Sequence, residues 1–128
     1  MSKSILIVDD ENYIRLLLRR TLEDFEFEGV HLFLAEDGQQ GIEMAVMHRP
    51  DLIFLDLMMP VLDGYEACLQ LRRNRALDDT HIVVLTAKGQ LPEFPEDAEP
   101  NQCLTKPFDP DQIVEIAETV LGITVGFE

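Results

Sequence analysis

The chain has 128 residues, with 25 Asp and Glu against 10 Lys and Arg, a formal charge of -15, and 46% of its residues apolar. That length suits one domain of ordinary size, and the apolar share is enough for a real core, so disorder is not expected. The surplus of negative charge repels a polyanion and argues against direct, phosphate-driven binding of nucleic acid; any DNA-binding activity would belong to a partner.

Cys68 and Cys103 lie 35 residues apart with no CxxC pair and no His at ligand spacing, so they make neither a metal site nor a disulfide framework. Both read as core residues in a reducing compartment. Near the start, the apolar run Ile5-Leu6-Ile7-Val8 is cut off by Asp9-Asp10, far short of a signal-peptide core or a membrane span. A cytoplasmic protein without membrane contact is expected.

In chain order, Ile5 to Val8, His31 to Ala35, Leu52 to Leu55, Ile82 to Leu85 and Cys103 to Leu104 read as strands. Several are nearly continuous apolar runs, the pattern of strands buried on both faces of a parallel sheet. After the first strand, Ile14, Leu17, Leu18, Thr21, Leu22 and Phe25 recur at helical spacing, with Arg15, Arg19, Arg20 and Glu23 interleaved, which predicts one long amphipathic helix. Further helices are predicted over Gln39 to His48, Leu62 to Arg75 and Asp111 to Leu121, the last with Pro110 in its first turn. The fourth crossover, Lys88 to Gln102, contains Gly89, Pro92, Pro95 and Pro100, and so predicts a loop or one short helical turn. Arg72, Arg73 and Arg75 read as a solvated basic end of the helix before it. Glu93, Glu96, Asp97 and Glu99 read as residues that keep this loop soluble.

Strands alternating with helices, joined by right-handed crossovers, give an α/β doubly wound sheet whose ligand site lies at the carboxyl ends of the strands. That edge collects Asp9, Asp10 and Glu11 after the first strand, Asp56 after the third, Thr86 after the fourth and Lys106 after the fifth. Like charges about 4 Å apart repel by roughly 4 kcal/mol at an effective dielectric near 20, so the acids want a cation. Hard oxygen ligands with room for water favour Mg²⁺. A carboxylate can attack phosphorus to form an aspartyl phosphate, while Lys106 and the Thr86 hydroxyl suit phosphoryl oxygens.

Leu6-Ile-Val-Asp-Asp-Glu, Leu55-Asp-Leu-Met-Met-Pro with Asp63-Gly64, Val83-Val-Leu-Thr-Ala and Leu104-Thr-Lys-Pro-Phe resemble the signature segments of two-component response regulator receiver domains. The likeness runs from Ile5 to about Leu121. It implies a five-stranded, flavodoxin-like sheet of order 2-1-3-4-5, the order of the chemotaxis receiver CheY. It also implies that Asp56 accepts a phosphoryl group from a sensor histidine kinase or phosphotransfer protein. Asp10 would bind Mg²⁺ directly and Asp9 through water, with Met58 lending its backbone carbonyl. Thr86 and Lys106 would hold the phosphoryl oxygens, Ala87 would leave room for them, and the bond before Pro107 would be cis. Kinase docking is expected near Glu11 to Leu18 and on the turn from Pro107 to Pro110.

One domain is expected over 1–128, with its core from about 4 to 122, either acting alone as a diffusible messenger or phosphorelay intermediate or forming a fragment of a longer protein. It is read as a phosphoacceptor that signals to a downstream protein and is no enzyme beyond its own phosphotransfer and slow autodephosphorylation. Cys103 stands where many such receivers carry an aromatic residue that swings inward on phosphorylation, and the proline-rich segment stands where a fourth regular helix is usual. Thr86 and Lys106, 20 apart, are slightly closer than usual. Met58 cannot orient water by hydrogen bonding, which predicts slow autodephosphorylation. Three competitors remain: a receiver-like binding module that switches without phosphate, an aspartyl phosphatase, and a flavodoxin-type carrier. The second lacks an acid at Met58, and the third lacks a hydroxyl- and Gly-rich phosphate loop after the first strand.

Overall fold

The computed structural model describes residues 2–59 and 61–125. The strands are β1 (Ser4–Val8), β2 (His31–Ala35), β3 (Leu52–Asp56), β4 (His81–Ala87) and β5 (Gln102–Lys106), all parallel, in the order β2-β1-β3-β4-β5. The helices are α1 (Asn12–Thr21), α2 (Glu23–Phe27), α3 (Gly38–His48), α4 (Gly64–Arg73) and α5 (Pro110–Leu121). Because side chains alternate across a strand, the apolar runs feed two cores. Ile5, Ile7, Leu52, Phe54, Val83 and Leu85 pack toward α1 and α5, whereas Leu6, Val8, Ile53, Leu55, Ile82 and Val84 pack toward α3 and α4. No helix among the described residues is long and apolar enough to cross a membrane.

The helix expected to run unbroken to Phe25 is two helices, hinged at Leu22 with φ -102° and ψ 7°. Leu18, Leu22 and Phe25 are all fully buried. Their helical spacing survives a break of one residue, so periodicity does not register it. Leu62 lies outside α4, because the Asp63 side chain caps the helix by accepting the Glu66 N–H at 2.9 Å. Arg75 belongs to the short 3₁₀ turn Arg75–Leu77 that follows. β3, β4 and β5 are longer than their apolar cores, so Asp56, Thr86 and Lys106 lie on the strands themselves.

The fourth crossover is a strap with one 3₁₀ turn, Glu96–Ala98, laid over α4. The arginines at the end of α4 are its anchors, not a solvated cap. Arg73 makes a two-pronged pair with Asp97 at 2.8 and 3.2 Å. Arg72 donates to Asn101 Oδ1 at 3.0 Å and to the carbonyls of Leu77 and Thr80 at 2.7 Å each. Phe94 stacks on Tyr65 with centroids 5.1 Å apart. Cys68 is buried beneath, with Ala98 fully covered above it. Cys103, expected in the core, is exposed. β5 is an edge strand, and the face that carries Cys103 has a proline-rich strap beside it instead of a long helix.

Candidate functional site

Asp9 continues β1 and is held from four directions. Its N–H donates to Ala35 O at 3.1 Å, its Oδ1 accepts the Glu11 N–H at 2.9 Å, its Oδ2 accepts from Lys106 Nζ at 3.3 Å, and its carbonyl accepts from Arg15 at 2.6 Å. Asp56, the last residue of β3, accepts the Met58 N–H at 3.2 Å and a second Lys106 contact at 3.3 Å, both on Oδ1. The loop after it closes tightly, with the Gly64 N–H donating to Leu57 O at 3.0 Å. Only a glycine fits at 64, because a Cβ there would run into the carbonyl oxygen of Asp56.

Asp9 is fully buried, Asp56 is 2% exposed and Asp10 is exposed. One carboxylate oxygen from each can be chosen so that all three lie within 4.8 Å of one another. Burial, and then the Asp9 charge, push the Asp56 carboxyl up to about 6, against the pull of Lys106 and the Met58 N–H. Burial likewise raises Asp9, against the Glu11 N–H and Lys106. Burial works against the charge of Lys106, but Asp9 and Asp56 together outweigh it and hold its pKa above the ordinary value. Two buried carboxylates thus share one ammonium, which leaves the cluster short of positive charge. The donors are hard carboxylate oxygens with one member open to solvent, a set that fits a divalent oxygen-seeking cation such as Mg²⁺.

The remaining residues named from sequence stand around this cluster. Thr86 is buried at the end of β4 and paired in register with Thr105, and Ala87 is paired with Lys106. The Thr86 hydroxyl donates weakly to Ala87 O at 3.4 Å, and no hydrogen bond joins it to the carboxylates among the described residues. The Met58 side chain is 63% exposed and points no polar atom at the site. The Lys106–Pro107 peptide is cis. Tyr13, Ile14 and Leu17 of α1 face Lys106, Pro107 and Phe108 across a groove of about 310 Å³ beside the cluster. Glu11 contributes only its backbone N–H to the acid cluster.

Sequence reasoning missed Arg15. It read as one of several polar residues interleaved along an amphipathic helix, yet it is 9% exposed and contacts the backbone of the acidic turn. The available signal was its place in the first turn of the helix that follows the Asp pair.

The chain matches the model of the response regulator receiver domain over residues 5–118. It is 43% identical to the response regulator MprA of Mycobacterium ulcerans and 42% identical to that of Mycobacterium tuberculosis, over 97% of this chain and about half of those proteins (52% and 53%). The chain therefore spans about half the length of the curated relatives it matches. Among solved structures, it resembles the receiver domain of a sensor histidine kinase from Pseudomonas aeruginosa, which carries a magnesium ion coordinated in its active-site cleft. That likeness has a TM-score of 0.80 and 29% identity, covering 96% of this chain and 100% of that one. A chemotaxis response regulator of Vibrio cholerae superposes with a TM-score of 0.77 at 29% identity, covering 94% and 99% of the two chains. On these matches and this fold, the chain belongs to the response regulator receiver domain family.

Proposed function

We propose that the chain is a phosphorylation-dependent signalling receiver whose acceptor is Asp56, served by Mg²⁺ and by a sensor histidine kinase or phosphotransfer protein as donor. The observation that carries this reading is the single ammonium of Lys106 placed 3.3 Å from both Asp9 and Asp56, beside the exposed Asp10. Asp10, Asp56 and the Met58 carbonyl would hold the metal directly, and Asp9 would hold it through water. Bound there, the metal supplies positive charge for the transferring phosphoryl group.

The residues of the chain do the rest. A carboxylate oxygen of Asp56 bonds to phosphorus as the donor's bond to phosphorus breaks, with no proton required because the acceptor reacts ionised. Lys106, already aimed at Asp56, stabilises the added charge by proximity, and little reorganisation is needed. Thr86 carries a hydroxyl engaged only by a 3.4 Å contact, so it is free to turn toward a phosphoryl oxygen. Ala87 adds no bulk on that side. Met58 offers no group to orient an attacking water, which supports slow loss of the phosphoryl group. Tyr13, 68% exposed, and Leu17, 38% exposed, line the groove at Phe108 and provide an apolar docking surface for the donor protein.

A second reading, a binding module that switches without phosphate, is favoured by two features. Cys103 offers no aromatic ring to swing inward, and a strap replaces a fourth long helix. Acetyl phosphate with Mg²⁺, read by intact mass, separates the two. The first reading expects a gain of one phosphoryl group that Asp56→Asn abolishes and that decays over minutes or longer. Absence of modification, together with unchanged amide shifts at Thr86 and Lys106 under beryllofluoride and Mg²⁺, supports the second. Decay within seconds would overturn the role given to Met58.

A further inference from the structure

Three charged side chains are buried among the described residues: Asp9, Asp56 and Arg15. The first two belong to the acid cluster. The third is on α1, and its guanidinium takes the carbonyl oxygen of Asp9 at 2.6 Å and Asn12 Oδ1 at 3.2 Å. No carboxylate among the described residues comes within 4.0 Å of it. Burying a guanidinium without a carboxylate is costly, and a fork with one prong on a backbone oxygen and the other on Asn12 Oδ1 is a device for fixing geometry more than for neutralising charge.

What it fixes is the peptide that joins Asp9 to Asp10. The N–H of Asp9 is tied to Ala35 and its side chain to Glu11, so the Arg15 contact completes the restraint by holding the carbonyl. The orientation of that carbonyl sets the plane of the Asp9–Asp10 peptide, and that plane sets where the Asp10 carboxylate starts. Asp10 is exposed, so solvent does not hold its side chain in one place; the backbone has to. Without Arg15 the carbonyl would be a buried acceptor lacking its donor, and rotation of the peptide would relieve it while swinging Asp10 away from Asp56.

We propose that Arg15 is a positioning residue for the cation site: it locks the Asp9–Asp10 peptide so that the Asp10 carboxylate faces Asp56. The proposal rests on the Mg²⁺ reading above and adds to it a residue that touches neither metal nor phosphoryl group. It also predicts a sign. As a nearby positive charge, Arg15 opposes a cation, so its removal would tighten Mg²⁺ binding if charge were its whole effect. As a positioning residue, it strengthens binding, and losing such a supporting contact weakens metal affinity by about 10-fold or more.

The test is a Mg²⁺ titration of the full chain followed by amide shifts of residues 9–11, with melting temperature recorded in parallel. Arg15→Met keeps the apolar stem and removes the donors, and Arg15→Lys keeps the charge without the fork. Both are expected to bind Mg²⁺ about 10-fold more weakly. Tighter binding by Arg15→Met, or full affinity in Arg15→Lys, overturns the proposal in favour of charge alone. A lowered melting temperature with unchanged Mg²⁺ affinity overturns it in favour of packing alone. Should Arg15→Met fail to fold, Asn12→Ala, which removes the exposed partner of the same guanidinium, decides: about threefold weaker binding is expected, less than the roughly 10-fold for losing the supporting residue itself because the bond to the Asp9 carbonyl remains, and unchanged binding overturns the proposal. A wild-type chain without saturable Mg²⁺ response at residues 9–11 would instead overturn the Mg²⁺ reading itself.

Discussion

Asp56 is the residue where structure and titration meet. Its carboxyl sits at about 6 in the folded chain against 3.8 for an ordinary Asp, because burial and the Asp9 charge disfavour ionisation. At roughly 1.4 kcal/mol per pH unit, that difference is worth about 3 kcal/mol. The folded state binds the proton more tightly than the unfolded state. The stabilisation is therefore fully present below the unfolded pKa of 3.8 and is lost as pH rises through about 6. Asp56→Asn removes the titration. In metal-free buffer at pH 7 it is expected to be more stable than wild type by about 1 to 3 kcal/mol, the lower end reflecting the lost contact with Lys106. Urea denaturation at pH 4 and pH 7 checks this: the advantage should shrink toward zero at the lower pH, and a less stable Asp56→Asn at pH 7 would contradict it. The residues of this cluster were legible because strand ends in a parallel sheet converge, so acids after β1 and β3 must meet. Arg15 was not, since a buried cation bonded to a backbone oxygen leaves the same mark in a sequence as a solvated one on a helix.

Among the elements, the loop from β3 to α4 carries constraints of opposite sign. Gly64 brings the first turn of α4 against the backbone of Asp56, where no side chain fits. Val61, 83% exposed, holds φ at 71°, a left-handed conformation that disfavours a β-branched residue by about 1 to 2 kcal/mol. Gly64→Ala should therefore destabilise the chain by several kcal/mol, or displace α4 and abolish the Mg²⁺ response, because backbone on β3 has no room to give. Val61→Asn should stabilise it by about 1 kcal/mol, since Asn tolerates the same conformation. Denaturant midpoints of the two variants read both effects, and a neutral Gly64→Ala would show that α4 can shift freely. Helix identity was legible here from spacing alone, but neither constraint was, because each arises from what the chain meets after it folds back. The strap shows the same limit. Its prolines announced that no regular helix forms, whereas the roles of Arg72, Arg73 and Asp97 as its fastenings depend on α4 lying underneath.

At the scale of the whole molecule, a formal charge of -15 makes the folded state repel itself, and two of its ion pairs, Arg19–Glu26 and Arg73–Asp97, are at the surface, where they offset little. The acid cluster concentrates part of that repulsion in the interior, around Lys106. Bulk salt and Mg²⁺ should therefore stabilise the chain by different routes. Screening reaches exposed charges, as the Debye length shortens from about 30 Å at 0.01 M to about 10 Å at 0.1 M, but it acts weakly on buried Asp9 and Asp56. A cation bound at the cluster instead stabilises by mass action, in proportion to the logarithm of its concentration above Kd. Raising NaCl across that range should lift the melting temperature of wild type and Asp56→Asn alike. Millimolar Mg²⁺ added at the higher salt should lift wild type further and leave Asp56→Asn nearly unmoved. An equal Mg²⁺ response in the two proteins would mean that the divalent cation acts on the diffuse acidic surface. The interior cluster would then hold no site of its own.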